Sequence, residues 1–175
     1  INPNRFNNDD RQELLDTHNY LRSFLGTNMN ELFYDKALET IAFNYINNIC
    51  DNKKPTHITP NPHISNDLLQ LKHLSTFEFP SLTSNINIGQ NIFQQHNTTT
   101  VNITSLTHII IEWYKTVFNK YTYSKITKDN VNNAALFKQI IWAKTRYIGC
   151  GFYYGDSCML TVLLCFFYRL QTQII

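Results

Sequence analysis

Four cysteines are the residues whose types and spacing point most directly to chemistry, and three of them lie between positions 150 and 165. No Cys-x-x-Cys arrangement is present, so the cysteines do not have the spacing of a zinc finger. A hairpin that turns near Gly155 would place Cys150 and Cys165 nearly opposite each other on neighbouring strands, within reach of a disulfide. Cys50 and Cys158 then remain as a second pair. Paired cysteines are typical of an oxidising compartment.

Other arrangements that support catalysis are missing from the sequence. There is no Gly-x-Ser-x-Gly motif of a serine hydrolase, and the cysteines fit bridges better than a thiolate nucleophile. His57 lies among Pro55, Pro60 and Pro62, and His63 follows six residues later. A histidine beside prolines is more often a surface-loop residue than a metal ligand, and we interpret His57 in that way. The residues therefore predict a protein that is not an enzyme.

Size and composition indicate one globular domain over residues 1–175. Hydrophobic residues make up 43% of the chain and charged residues only 16%, which is far from the composition of disordered proteins. The net charge is only +2, and the sequence contains no cluster of Lys and Arg residues, so nucleic acid is not an expected partner. The longest apolar run, Met159–Phe167, is too short for a transmembrane segment and suits a buried strand.

Two N-glycosylation sequons begin at Asn97 and Asn102. Both lie in a polar stretch, from Gln94 to Thr104, that predicts an exposed loop. In a chain rich in Asn and Thr, sequons that arise by chance are the alternative. Together with the paired cysteines, the sequons predict a secreted, extracellular glycoprotein.

The hydrophobic periodicity predicts helices first and a hairpin afterwards. Three helices are expected, from the cap residues Asn7–Asp10 to Gly26, from Asp35 or Lys36 to about Cys50, and from about Ser105 to Phe118. Two strands are expected over Tyr147–Tyr154 and Met159–Tyr168, and Phe137–Trp142 fits either a strand or a short helix. A weaker pattern permits a short helix over Asp67–Leu71. This order predicts an α+β fold whose helices cover an antiparallel sheet.

Six short segments carry a resemblance to a known family. They are Leu14–Arg22, Gly89–Phe93, Glu112–Tyr114, Phe137–Trp142, Ile148–Gly151 and Leu164–Tyr168. In this order they resemble the CAP superfamily (SCP/TAPS) of cysteine-rich secretory, venom-allergen-like and pathogenesis-related proteins. The degenerate motifs look like those of a helminth, schistosome-like, venom-allergen-like protein. The resemblance implies a single domain with a three-layer α-β-α sandwich around an antiparallel sheet, and the same two disulfides.

Family members typically gather two histidines and two glutamates in a central cavity, where they can bind a divalent cation. By motif position, this tetrad falls on His57, Gln90, Thr116 and Leu136. A glutamine carries no negative charge, and a leucine offers no lone pair to a metal. The resemblance, with these replacements, predicts no metal, no cofactor and no catalytic residue.

The resemblance also implies two lipid sites. An aromatic motif that contacts sterols in some members falls here on Trp113, Tyr114, Phe118, Tyr121 and Tyr123. An apolar channel that holds a fatty acid between the first and third predicted helices falls on Leu14, Leu21, Phe24, Ile109, Ile110 and Val117. Ordinary core packing and ordinary loop aromatics are the alternative for both sets.

The expected function is therefore that of a secreted, non-catalytic protein that binds sterols and fatty acids, either to export or to sequester them. The alternative is a secreted glycoprotein that acts as a ligand for host or cell-surface proteins and modulates receptors or immune responses. In that case loops and glycans on a rigid scaffold would form the contact surface.

Overall fold

A computed structural model describes residues 6–25, 28–53, 57–64, 67, 88–96, 105–116, 135–155 and 160–169. The helices are α1 (Asn8–Ser23), α2 (Lys36–Lys53), α3 (Leu106–Lys115) and α4 (Ala135–Ile141). The strands are β1 (Phe33–Tyr34), β2 (Ile88–His96), β3 (Thr145–Gly155) and β4 (Leu160–Arg169). In the described part of the chain, no helix is long and apolar enough to cross a membrane.

Short polar side chains begin three of the helices, as the sequence predicts. The side chain of Asn7 accepts from the N–H of Asp10 at 2.8 Å, and the Asp10 carboxylate accepts from the N–H of Asn7 at 2.9 Å. This reciprocal capping box satisfies N–H groups that have no partner within α1. The buried carboxylate of Asp35 accepts from the N–H of Ala37 at 2.8 Å and so begins α2. Ser105 caps α3.

The strands form one sheet in the order β1-β3-β4-β2. The hairpin of β3 and β4 is antiparallel, and β2 pairs antiparallel with β4 along its full length, so the antiparallel core of the sheet is confirmed. The two-residue strand β1 adds a parallel pair at the edge of β3. The prediction of a loop that begins at Gln94 is wrong for Gln94–His96, because these residues belong to β2. The segment 135–141 is helical.

The central strand β4 is buried on both faces, which explains why its sequence is apolar or aromatic apart from Thr161 and the terminal Arg169. Alternate side chains point to opposite sides of the sheet. One set packs against α2: Val162, Leu164, Phe166 and Tyr168. The other set lies in the cluster formed with α1, α3 and α4: Leu163, Cys165 and Phe167. The molecule is therefore a three-layer α-β-α sandwich.

Two glycines let α2 approach the sheet closely. A Cβ atom at Gly149 would lie 2.5 Å from the carbonyl oxygen of Asp35, and one at Gly151 would lie 2.5 Å from the backbone nitrogen of Phe43. Ordinary van der Waals contact requires a larger separation. The Gly-Cys-Gly segment around Cys150 therefore has a packing role.

The polar residues of the α1 motif are structural. Asn19 pairs with Leu32 through both ends of its amide, at 2.9 and 3.2 Å. The buried guanidinium of Arg22 donates to the carbonyl oxygens of Asn30 and Ile140, each at 2.7 Å, and also to those of Trp142 and Thr145. Burial lowers the pKa of Arg22 to about 10. Arg22 thus ties α1 to the end of α4 and to two loops.

Candidate functional site

The four positions that match the family's cavity tetrad are all described, and no hydrogen bond joins any two of them. His57 lies in the loop after α2, and Gln90 lies on β2. Thr116 is the C-cap of α3, and Leu136 belongs to the first turn of α4. Gln90, His57 and Thr116 each form hydrogen bonds with residues outside the set of four.

Gln90 holds the loop that follows α2. Its Oε1 atom accepts from the backbone N–H of Asn61 at 2.7 Å, and its Nε2 atom donates to the backbone oxygen of Asn61 at 2.8 Å. A side-chain amide has the same donor and acceptor pair as a peptide group, so it can imitate one rung of a sheet. Gln90 therefore acts as a structural link between β2 and the loop.

Gln94 forms a similar link to the same loop, four residues further along β2. Residues 90 and 94 share a face of β2, because side chains alternate along a strand. The Oε1 atom of Gln94 accepts from the N–H of Ile58 at 2.7 Å, and its amide contacts the His57 ring nitrogen Nδ1. His57 is exposed and sits at the edge of this contact. Two glutamines thus fasten residues 57–61 to the sheet.

Leu136 and Thr116 are directed to other partners. The amide of the neighbouring strand residue Asn91 donates to the backbone oxygen of Leu136 at 3.0 Å, and the Leu136 side chain packs with the cluster on the α1 side. The Thr116 hydroxyl donates to the backbone oxygen of Trp113 at 2.7 Å. Gln90 shares its face of β2 with Ile92, which packs on the α2 side. The replacements are therefore divided between the two faces of the sheet.

These residues do not fit the divalent cation that the family implies. The oxygen of Gln90 is engaged by Asn61, and Leu136 has no donor atom. Within the described ranges, no group of three or more His, Cys, Asp or Glu side chains could hold a metal ion. No step of a mechanism can be derived through a metal at these positions.

The aromatic set begins at the end of α3. Trp113 is buried in the core cluster, while Tyr114 is half-buried and meets the ring of Phe137 edge-on, with centroids 5.1 Å apart. Burial raises the pKa of Tyr114. Phe118, Tyr121 and Tyr123 lie outside the described residues. The structure therefore describes only Trp113 and Tyr114 of the aromatic set, and contact between this set and a sterol remains a prediction.

Four of the six residues of the predicted fatty-acid channel pack together where α1 meets α3. The four that belong to the buried core cluster are Leu14, Leu21, Ile109 and Ile110. The Thr107 hydroxyl on α3 lies 3.1 Å from that of Thr17 on α1 and donates to Glu13 at 2.8 Å, so the two helices are fastened together. Phe24 is exposed, and Val117 lies outside the described residues.

The disulfide between Cys150 and Cys165 is confirmed. The two residues face each other across β3 and β4, and their Cα atoms are 4.1 Å apart. Cys50 is buried and disulfide-bonded as well. Its predicted partner, Cys158, lies outside the described residues, as do the sequon residues Asn97 and Asn102.

Three residues of this region were not singled out from the sequence: Asn61, Asn91 and Gln94. Each of them forms a hydrogen bond with a residue at least 29 positions away in the sequence. The one signal that could have indicated a strand with polar partners is the pattern of two amide pairs, Gln90–Asn91 and Gln94–Gln95, on either side of an apolar pair.

Comparisons with known proteins agree with this architecture. Residues 15–167 match the family model described as "CAP: Cysteine-rich secretory protein family". The "Venom allergen 5" of Vespa magnifica is 38% identical over 69 residues, which are 39% of this chain and 29% of that protein. The matched segment thus spans about a third of the relative's length.

Two solved structures have a similar fold. "Structure of BmVAL-1" has a TM-score of 0.66 at 19% identity, over 97% of this chain and 81% of that one. The venom allergen-like protein 4 of Schistosoma mansoni has a TM-score of 0.54 at 17% identity, over 95% of this chain and 92% of that one. Because the family model covers most of the chain, the protein belongs to the CAP family of cysteine-rich secretory proteins.

Proposed function

We propose that this protein is a secreted, non-catalytic lipid-binding protein that binds sterols and fatty acids. The observation that carries the proposal is the edge-on contact at the end of α3 between the half-buried ring of Tyr114 and the buried ring of Phe137. Flat aromatic faces suit the rigid rings of a sterol, because they offer a large contact area at a small entropic cost.

The sterol would be bound by the segment that continues from this pair. Phe118, Tyr121 and Tyr123 follow α3 within nine residues of Tyr114. Three more aromatic rings beside an existing aromatic pair would enclose a flat apolar ligand from several sides. Tyr114 would then form the inner wall of the site, and the three later residues would form its outer wall.

Binding without catalysis is supported by how the tetrad positions are used. Gln90 and Gln94 hold the loop of residues 57–61, which contains His57. Side chains engaged in such links are not free to polarise a water or a carbonyl group. We therefore infer that the face of β2 with Gln90 and Gln94 stabilises the fold that carries the lipid site.

Secretion and glycosylation are part of the same proposal. The buried disulfide of Cys150 and Cys165 suits an oxidising compartment. Asn97 directly follows β2, which ends at His96, so its sequon begins where the sheet ends. We expect glycans on Asn97 and Asn102 after expression through a eukaryotic secretory pathway, and an unshifted mass would contradict this assignment.

The experiment is equilibrium binding of labelled cholesterol and labelled palmitate to the parent protein and to two variants, Phe118→Ala and Tyr121→Ala. A buried aromatic contact contributes about 1–3 kcal/mol, so each variant should weaken cholesterol binding about fivefold or more. Palmitate binding should stay unchanged, since its predicted channel lies between α1 and α3. Unchanged cholesterol affinity in both variants would reject the sterol site.

A ligand for host or cell-surface proteins is the second candidate. Tyr20 on α1 and Phe24, the C-cap of that helix, are 65% and 63% exposed, and their rings meet edge-on with centroids 4.8 Å apart. Exposed aromatic rings are enriched at protein interfaces. A parent protein that binds neither labelled lipid would favour this second function over the first.

A further inference from the structure

Strand β1 covers only part of the outer edge of β3. It pairs through Phe33 and Tyr34 with Tyr147 and Ile148, and the chain then leaves the sheet for α2. The Tyr34 hydroxyl extends the pairing by one step, because it accepts from the N–H of Cys150 and donates to its carbonyl oxygen, each at 3.3 Å. Burial raises the pKa of Tyr34, so the hydroxyl keeps the proton that it donates.

Beyond Cys150 the outer edge of β3 carries backbone groups that have no partner among the described residues. In an antiparallel pair, every second residue directs its N–H and C=O away from the neighbouring strand. Those of Cys150 point outward, toward Tyr34, so those of Phe152 and Tyr154 point outward as well. Among the described residues, no hydrogen bond reaches these four groups. An edge of this kind is a template for another strand.

A cleft lies beside the same edge. It has a volume of about 150 Å³ and opens between the helix layers on the two sides of the sheet. Its apolar walls are the rings of Phe6, Phe43 and Phe152. Arg11 of α1 and Glu39 of α2 also line it, and two hydrogen bonds of 2.7 Å join their side chains. This ion pair fastens α1 to α2 across the cleft.

We propose that the outer edge of β3, from Phe152 to Gly155, together with this cleft binds an extended peptide segment of a partner protein by strand addition. The added strand continues the line of pairing that β1 begins at Tyr147. Its backbone supplies the partners that the N–H and C=O groups of Phe152 and Tyr154 lack. The three phenylalanine rings accept one apolar side chain of the peptide, which gives the site its selectivity.

The chemistry of the edge favours a peptide over a lipid. Four alternating donors and acceptors spaced along a strand match a peptide backbone, whereas a lipid chain has no hydrogen-bonding groups with this spacing. The neighbouring ring of Tyr154 is exposed, which leaves the far end of the edge accessible. The inference is independent of the proposed lipid site, because it involves a different edge of the molecule.

The test uses a blocked pentapeptide, acetyl-Thr-Val-Thr-Val-Thr-amide, and two twins of it. One twin is N-methylated at its valines and the other at its threonines, so that each lacks the amide donors of one side of the strand. Binding is measured by titration followed through the backbone amide signals of the full chain. Strand addition predicts that one twin loses binding and the other retains it, with the largest shifts at Phe152 and Tyr154.

The protein is tested with two variants of Tyr154. Tyr154→Ala removes the ring and keeps the outward N–H group, whereas Tyr154→Pro removes both, and proline is tolerated on an edge strand. Loss of one hydrogen bond should weaken binding of the unmethylated peptide by about fivefold in the proline variant relative to the alanine variant. Thermal melts show whether both variants remain folded.

Three results would overturn the proposal. Equal binding of both methylated twins would exclude a strand-like mode. Equal affinity of the proline and alanine variants would place the peptide elsewhere. A dimer of the parent protein in sedimentation, abolished by Tyr154→Pro, would assign the edge to a second copy of this chain instead of a partner peptide.

Discussion

Gln90 and Asn61 are joined like two residues of adjacent strands, although only one of them lies in a strand. The side-chain amide of Gln90 accepts a hydrogen bond from the backbone N–H of Asn61 at 2.7 Å and donates one to the backbone oxygen of Asn61 at 2.8 Å. Motif position equates Gln90 with a carboxylate that helps to bind a cation in the family. Here the amide stabilises a loop, and this exchange is why we interpret the chain as a binding scaffold.

The first prediction compares this link with its neighbour four residues along the strand. Gln90→Glu should lower the free energy of unfolding at neutral pH by about 1–3 kcal/mol, because a carboxylate cannot donate to the Asn61 oxygen. Gln94→Glu is the matched control, since its Oε1 contact with Ile58 survives and its other contact is with the His57 ring. Urea denaturation should rank Gln90→Glu as the less stable variant. Equal losses would contradict the donor argument.

A second prediction concerns the absence of a metal site. Isothermal titration of zinc into the parent protein should show no stoichiometric binding at micromolar concentrations, since Thr116 and Leu136 supply no suitable ligands. A one-to-one zinc site that disappears in His57→Ala would contradict this prediction.

The third prediction follows from His18, which is fully buried on α1. Its Nδ1 donates to the Leu14 oxygen at 2.7 Å, and burial lowers its pKa to about 4. The unfolded chain binds a proton near pH 6.5, so the folded state should lose stability as the pH falls from about 6.5 to about 4. The expected loss is about 3 kcal/mol. Urea melts of His18→Gln should show a flatter pH dependence over this window, and an unchanged slope would argue against His18 as its source.

The fourth prediction tests whether a fatty acid enters between α1 and α3. Thr107→Val keeps the shape of the side chain but removes its hydrogen bonds to Thr17 and Glu13. It should reduce stability by about 1–2 kcal/mol and strengthen palmitate binding, because the helices separate more easily. Fluorescence displacement would measure the affinity. Lower stability with unchanged palmitate affinity would place the fatty acid elsewhere.

The sequence predicts those elements whose own residues determine their burial. Helix α1 has a capping box and apolar residues at helical spacing, and β4 is an apolar run interrupted only by Thr161 before it reaches Tyr168, so both were found. Strand β2 was missed because Gln90, Asn91 and Gln94 interrupt its apolar pattern. The amides of Gln90 and Gln94 hydrogen-bond to a loop, and the amide nitrogen of Asn91 donates to α4, and such partners become visible only once the chain is folded.

The same limit applies to the candidate site, whose residue types are visible in the sequence but whose contacts are not. The loss of the tetrad is visible in the residue types at Gln90 and Leu136, but what Gln90 does instead depends on Asn61, 29 residues earlier in the chain. Similarly, the Gly-Cys-Gly segment suggests a family motif in the sequence, whereas its close contact with α2 requires the relative position of two elements.

Native mass spectrometry of the protein purified from a eukaryotic secretion host is the most direct test of lipid binding. The account predicts adducts with the masses of sterols or fatty acids, which are released on collisional activation, and their return when the stripped protein is incubated with cholesterol or palmitate. A spectrum that contains only the lipid-free protein before and after incubation with either lipid would contradict the proposed function.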